Sequence, residues 1–545
     1  MVWVVFLRRI SNSRCFSHEN VAMNWENLKQ YGPGFIATTS SFGLLLSAQP
    51  PHDFPEAAYF FLLPILCWFY FEKNFKKIFW TILTCAFFYY IGLVGWIRHV
   101  TFTGMLVTSF LLSLYWLPWF LITYVWLRRI CERSLIVRLF YMLSISSLWV
   151  FLEWIRGLFA LGFPWCPLSV TQWERPAILQ LVPNFGGLLV SFFLVFFNLS
   201  IAAYIYHLFV RKRSHSSQGF INSLCPEFYV CMCFFIFMLY PLFSPNKSDL
   251  INQQNISFKV GVCQPYLQDK WMASEAKKQK ALLIRQTKLI SLLQPDLIVW
   301  PEASTPYAVN EDREWVEKLV NEINIPLIIG AVIRGENGSY NSVVKISPKD
   351  GLGEAIYTKQ ILVPFGEYVP TPFNLIPGLE KIVGPTGNFK KGNTFKTFTF
   401  KNEGNYTINL VPLICYEDIF PDLVDKIPRS KNTCVFVTTN DAWFGEEGCA
   451  EQHAAHSVFR ALESGVPILR CGNAGWSGWI SPKGAVRDVL LDNEGSIYFS
   501  GTGVFEINLN SLNQRTNLKN IFKIICVVNF LISFAFRKKC LYQKT

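Results

Sequence analysis

The chain is poor in charge. Only 16% of its residues are Asp, Glu, Lys or Arg, against roughly 25% in soluble domains. That deficit excludes an ordinary soluble protein, and the 51% apolar content implies mass embedded in a membrane. Cysteine itself is not scarce, at 15 residues, but no C-x-x-C pair occurs, and Cys231 and Cys233 stand two apart inside an apolar run. No disulfide framework and no zinc site is readable. The first residues lack a signal-peptide core and a small-residue cleavage site. Met1–Ile10 is apolar with Arg8 and Arg9, and a true start at Met23 fits equally well. Paired broken helices are missing and internal charges are few, which argues against a transporter with an attached regulatory domain. The formal charge of +12 raises nucleic acid as a partner. The basic residues, however, sit in short loops between apolar runs, which is the pattern of membrane orientation.

Eight apolar segments are present, at roughly 35–48, 57–71, 78–97, 104–127, 137–155, 186–208, 228–243 and 521–536. At ~1.5 Å rise per residue, about 20 residues cross the hydrocarbon. The third to sixth segments reach that length; the others are short. The first two, split by Gln49-Pro50-Pro51, are also compatible with a re-entrant pair. Positive charge alternates along the loops. Arg8, Arg9, Arg14 and Lys29 precede the first segment, and Lys73, Lys76 and Lys77 follow the second. Arg128, Arg129, Arg133 and Arg138 follow the fourth, Arg211, Lys212 and Arg213 the sixth, and Arg537, Lys538, Lys539 and Lys544 the eighth. The intervening loops are poorer: none in 49–56, Arg98 in the next, Arg156 and Arg175 in the third. Such alternation predicts both termini in the cytoplasm and residues 244–517 on the far side. The expected organisation is an N-terminal arm over 1–34, a seven-helix bundle over 35–243, a catalytic domain over 252–510 and a last helix over 521–536. Glu153 beside Arg156, near a membrane interface, reads as functional or as an internal pair that fixes packing. The loop after it carries Gly162-Phe163-Pro164-Trp165, suited to a lipid entrance or to a cap on the bundle.

From about residue 252 the texture changes. Strands are expected at Ser257–Val262, Leu297–Trp300, Pro326–Ile333, Asn341–Ile346, Tyr406–Ile414, Cys434–Thr439, Pro467–Arg470, Gly475–Ile480 and Val504–Ile507. Helices are expected at Ala273–Leu293, Trp315–Ile323, near Leu423 and at Glu451–Gly465. Alternating strands and helices imply a layered α/β domain.

Three residues in this domain form a chemical set. Glu302 closes Leu297-Ile298-Val299-Trp300-Pro301-Glu302. Lys359 stands ahead of Leu362-Val363-Pro364-Phe365-Gly366-Glu367-Tyr368. Cys415 sits between Leu410–Ile414 and Tyr416-Glu417-Asp418. A carboxylate, an ammonium and a thiol are the parts needed for acyl transfer through a thioester. Taken singly, each has a plainer reading: a helix N-terminal acid, a solvated lysine, a buried structural cysteine. Glu302 and Cys415 both fall just past strand ends, where α/β sheets place ligands.

These motifs, in this order, resemble the Glu–Lys–Cys triad of the nitrilase superfamily. The Leu-Val-Pro-Phe-Gly-Glu-Tyr block, Asn440-Asp441-Ala442-Trp443-Phe444-Gly445 and the helix bundle narrow the resemblance to the apolipoprotein N-acyltransferase family. The N-terminal extension, Thr439-Asn440 and Asn473-Ala474-Gly475-Trp476 match that pattern more loosely. The resemblance implies an αββα nitrilase-like sandwich on the periplasmic face of the bacterial inner membrane. It implies a phospholipid acyl donor and a diacylglyceryl-cysteine apolipoprotein acceptor, with no nucleic acid, metal or cofactor. It implies Cys415 as nucleophile, Glu302 as general base and Lys359 as oxyanion donor, helped by the Tyr416 backbone N–H. Glu367 and Glu417 match supporting carboxylates, and Trp271 and Trp443 match pocket aromatics. A lysine cation near Cys415 is expected to favour its thiolate. The apolar stretch Phe373–Leu379 reads as a lid or as an ordinary loop. A membrane-anchored amidase is the enzymatic alternative, although one helix would suffice to anchor it.

Overall fold

The computed structural model describes residues 22–130, 133–158, 162–211, 225–243, 256–268, 272–371, 373–375, 388–428, 430–509 and 517–541. The arm before residue 22, Trp271, and all of the expected lid beyond Leu375 lie outside them.

Helices follow the apolar runs. They are α1 (Ala22–Ala48), α2 (Leu63–Phe71), α3 (Phe75–Leu93), α4 (Phe102–Ile130), α5 (Leu135–Arg156), α6 (Gly187–Tyr206) and α7 (Pro226–Phe243). Asn74 caps α3, its side chain accepting from the Lys77 N–H at 3.2 Å; this satisfies one of the orphan donors of a first helical turn. Several polar groups inside the bundle are tied to partners outside their own helix. Arg138, expected as a loop charge, lies within α5 and donates two hydrogen bonds to Glu227 at the start of α7, at 2.7 and 3.0 Å. Glu153 and Arg156 do not pair with each other. Glu153 accepts from the Trp149 indole at 2.8 Å and from the Leu168 N–H at 2.7 Å, while Arg156 donates to the Trp165 carbonyl at 2.9 Å. Both residues thus fasten the connection after α5.

The second half holds two six-stranded sheets, in the orders β12-β1-β2-β3-β4-β5 and β11-β10-β9-β8-β7-β6. The strands are β1 (Ile256–Gln264), β2 (Leu297–Trp300), β3 (Leu327–Gly335), β4 (Gly338–Ser347), β5 (Gly351–Thr358), β6 (Phe398–Lys401), β7 (Thr407–Ile414), β8 (Thr433–Thr439), β9 (Ile468–Gly472), β10 (Gly478–Ile480), β11 (Val486–Val489) and β12 (Gly501–Leu509). The central strands β1-β2-β3 and β7-β8-β9 run parallel. They are apolar on both faces, because parallel strands are covered on both sides. Sequence reading passed over β5, β6 and β11, all three of them edge strands, short or with much of their surface partly exposed.

The sheets pack face to face through Val260, Val299, Ile328, Leu410, Ile414, Phe436 and Leu469. Helices α8 (Ala276–Ser291) and α9 (Glu314–Ile323) cover the outer face of the first sheet through Leu283, Ile290, Val316 and Val320. Helix α10 (Cys449–Ser464) covers the second sheet. There the core does not end: one apolar cluster runs from Val411, Leu413 and Val437 through Ala454 and Val458 into Phe42, Trp149 and Phe193 of the bundle. The outer α layer is therefore shared between the two halves of the protein.

The chain finishes in α11 (Lys519–Leu541), which returns to the bundle beside α5. Asn529 bonds Ser144 and Ser147, and the Tyr141 hydroxyl donates to the Ser533 carbonyl. Among the described residues, four helical stretches are long and apolar enough to cross a membrane: Phe102–Ile130, Leu135–Arg156, Gly187–Phe209 and Lys519–Arg537. This differs from the expected lengths in two places. The last helix extends beyond its apolar run and reaches spanning length. The third starts among lysines and stops at Leu93, where Gly95–His99 tightens into a 3-10 turn.

Candidate active site

Three strand ends meet at one point. Glu302 lies two residues past β2, Lys359 follows β5 directly, and Cys415 follows β7. The sheets approach closely here. A Cβ on Gly330 of β3 would stand 2.6 Å from the Glu302 Cα and 2.9 Å from the Thr438 hydroxyl of the other sheet, so only glycine fits.

Lys359 is 1% exposed and Glu302 7%. The Lys359 ammonium lies 3.3 Å from Glu302 Oε1 and 3.0 Å from Glu367. Asn341 of β4 donates to both carboxylates, at 2.7 Å to Glu302 and 3.0 Å to Glu367. Glu367 also accepts from the Val363 N–H at 2.8 Å, which folds the Val363–Tyr368 segment back over the lysine. Burial works against the charge on Lys359, but the Glu302 and Glu367 carboxylates outweigh it and hold its pKa well above the ordinary lysine value. The lysine is therefore a permanent, oriented cation.

Cys415 opens a 3-10 turn with φ of 51°, a left-handed conformation that costs a non-glycine residue about 1–2 kcal/mol. The turn is held by Glu417, which is fully buried. Its Oε2 accepts from the Ile414 N–H and the Tyr357 hydroxyl, both at 2.7 Å, and its Oε1 from the Gln360 and Ile361 N–H groups. One carboxylate thus ties the Cys415 turn to the Lys359 segment. Burial pushes the Glu417 pKa up to about 7, against the stabilising Ile414, Tyr357 and Gln360 bonds.

Cys415 keeps some solvent exposure, yet desolvation by the protein packed around it, and then the Glu302 carboxylate, push its pKa well above the ordinary thiol value; the Lys359 cation favours the thiolate, as expected, without prevailing. Cys415 therefore rests as a neutral thiol, and any attack by its sulfur would need a base to take the proton.

Beneath the turn lies a polar network that sequence reading did not single out. His453 of α10 bonds Asp441 through Nδ1 at 3.1 Å and Asp418 through Nε2 at 2.8 Å, and Nε2 also lies 3.2 Å from the Cys415 carbonyl. Arg470 and Ser457 donate to the other Asp418 oxygen. Burial alone would lower the His453 pKa, but Asp418 and Asp441 raise it to about 9. Cys415, Asp441 and His453 form the one trio among the described residues with ligand-type atoms within 4.8 Å of one another. Both ring nitrogens of His453 face carboxylates, which is how an imidazolium is held rather than a metal-bound imidazole. The available signals were slight: Asp418 adjoins the Cys-Tyr-Glu motif and Asp441 lies in the Asn440–Gly445 block, but nothing local to His453 or Arg470 points to them.

Among the remaining candidates, Tyr416 is buried and its hydroxyl donates to the Gly162 carbonyl at 2.8 Å. Its ring stacks on Phe163, which stacks on Trp165. The loop after α5 thus lies directly against the residue following Cys415. Trp443 is 44% exposed on the turn after β8. Trp271 lies outside the described residues.

Both halves of the chain are similar to known proteins. Residues 41–200 match the apolipoprotein N-acyltransferase N-terminal domain, and residues 259–509 match the carbon-nitrogen hydrolase family. A protein of Geobacter metallireducens named apolipoprotein N-acyltransferase is 28% identical over 407 residues, covering 73% of each chain. One from Wigglesworthia glossinidia brevipalpis is 28% identical over 422 residues, covering 73% of this chain and 76% of its own. One from Rhizobium rhizogenes is 28% identical over 361 residues, covering 63% of this chain and 64% of its own. With a bundle domain and a hydrolase-type domain matched in the same order along one polypeptide, the chain belongs to the apolipoprotein N-acyltransferase family, within the carbon-nitrogen hydrolase superfamily.

Proposed function

We propose that this protein moves a fatty acyl chain from a phospholipid to the N-terminal α-amine of a diacylglyceryl-cysteine apolipoprotein, in two steps through a thioester on Cys415. Glu302 takes the thiol proton as sulfur attacks the ester carbonyl. Lys359 and the Tyr416 N–H stabilise the oxyanion. The intermediate collapses, the lysophospholipid oxygen leaves with the proton returned by Glu302, and the acyl chain stays on sulfur. The lipoprotein amine then attacks the thioester, loses a proton to Glu302, and releases the thiol. Glu367 holds Lys359, Glu417 holds the turn, and Trp271 and Trp443 serve the acyl pocket. The observation that carries the reading is a permanent lysine cation and a carboxylate beside a neutral thiol, with a membrane-side loop packed on the next residue. Intact mass after incubation with phospholipid tests it. The protein should gain one acyl chain and lose it again when a diacylated lipopeptide is added; wild-type protein that stays at its unmodified mass would refute the thioester route.

The membrane frame is part of the same reading. Eight helices, seven in 35–243 and one over 521–536, would carry residues 252–510 on the periplasmic face of the inner membrane, with both termini cytoplasmic. Loop charge supports it. Reporter fusions after Ser248 and after Lys544 should report opposite compartments, and agreement between them would rule out this topology.

A further inference from the structure

Helix α10 carries two neighbouring stripes with different partners. His453 and Ser457, four residues apart and so on one face, both bond Asp418 beneath the nucleophile turn. Gln452 and His456, also four apart, face the bundle instead. The His456 Nε2 accepts from the Cys166 N–H at 3.1 Å.

Gln452 is the unusual member. It is 3% exposed, and its one amide makes four hydrogen bonds, every one to the membrane half. Its Oε1 accepts from the Trp96 indole at 3.1 Å and the Trp165 indole at 2.7 Å. Its Nε2 donates to the Pro50 and Leu93 carbonyls, both at 3.1 Å. Two donors and two acceptors converge, so only one orientation of the amide satisfies all four. These partners come from the three connections α1–α2, α3–α4 and α5–α6, with Leu93 the last residue of α3 where the second of them begins. Those are the three charge-poor loops that the topology places on the catalytic side. The chain flanking α10 repeats the contact. Phe444 packs on Trp96 at 4.7 Å, Glu447 pairs with Arg98 and His99, and a Cβ on Gly448 would stand 2.5 Å from Pro51.

We infer that Gln452 is a positioning residue that gathers the three lipid-side loops and seats them, one helix residue away from His453, at a fixed distance from the Cys415 turn. Its function is to present a membrane-held acyl donor to the nucleophile. The inference rests on the proposed use of a phospholipid donor. A soluble short-chain ester needs no such presentation, and this separates a positioning role from a merely structural one.

The experiment follows acyl-adduct formation on Cys415 by intact mass, with phospholipid in mixed micelles and with a p-nitrophenyl ester of a short acid. Wild type, Gln452→Ala and the volume-conserving Gln452→Met are compared, the last in case the alanine variant folds poorly. Misplacement by about 1 Å costs roughly 10²-fold in rate, so the phospholipid rate should fall by about that factor and the short-ester rate far less. The ratio of the two rates should drop at least about tenfold in both variants. An equal fall with both donors, or no fall with either, overturns the inference while wild-type loading by phospholipid continues to support the proposed function. No loading of the wild type by phospholipid overturns the function reading and this inference with it.

Discussion

Cys415→Ala should carry no acyl chain and form no product with any donor. The substitution is mild structurally. Alanine meets the same left-handed backbone at φ of 51° that cysteine does, and the Glu417 bonds that hold the turn engage the backbone of Ile414, Gln360 and Ile361, not the thiol. The variant should therefore fold with Lys359 still paired to Glu302 and Glu367, leaving a complete oxyanion site with nothing to attack. Cys415→Ser keeps a nucleophilic atom, but a hydroxyl is far harder to deprotonate than a thiol, so only a slow ester is expected. Intact mass after phospholipid incubation reads both variants. An adduct of normal yield on Cys415→Ala, mapped to buried Cys449 or Cys471, would move the nucleophile elsewhere.

The second large effect concerns Glu302. Because burial and the Glu302 charge keep the Cys415 thiol protonated, attack needs a base, and removing it should cost roughly 10²–10⁴-fold. Glu302→Gln isolates that role. The glutamine carbonyl can still accept from Asn341 and Lys359, and Lys359 keeps Glu367 as its counter-ion, so the geometry survives. Residual acylation must then use thiolate supplied by solvent. Removing the Glu302 charge relieves part of the raise in the thiol pKa, but desolvation, its larger cause, remains; below that pKa the thiolate fraction grows about tenfold per pH unit, so the variant's rate should climb with pH beyond the usual thiol range of about 8.5. The wild type, with its own base, should show no such slope over the same range. The second half-reaction should fail as well, since the incoming amine must also lose a proton. The variant is loaded slowly at high pH, returned to neutral pH and given a diacylated lipopeptide. Consumption of the thioester at the wild-type rate would mean that Glu302 is not the base for aminolysis.

Local pattern and tertiary contact divided the information unequally. The apolar runs and the charge of their loops marked the helices, because helix length and loop charge are properties of contiguous residues. The parallel strands β2, β7 and β8 were readable for the same reason: strands covered on both faces are apolar without interruption. Glu302 and Cys415 stood just past runs with strand character, and Lys359 stood ahead of the Leu362–Tyr368 block, although the strand before it, β5, was not legible. Edge strands such as β6 were not legible, because half of their residues face solvent and the alternation is short.

The sequence by itself determined the type of chain: apolar helices, an α/β half of alternating strands and helices, and a carboxylate, an ammonium and a thiol in recognisable local motifs. Only the tertiary structure decided how those three groups behave. Lys359 is a fixed cation because the Glu302 and Glu367 carboxylates outweigh its burial, and Cys415 is a neutral thiol because the packed protein around it and the Glu302 charge outweigh Lys359; none of this is local to a motif. Nor could sequence spacing bring Asn341 to both carboxylates, or His453 beneath a turn 38 residues earlier. The same holds for the seat of the bundle on the catalytic half. Gln452 is one residue among polar neighbours on a helix, and its role exists only where three loops, distant in sequence, converge on one buried amide that has to satisfy all its hydrogen bonds away from water.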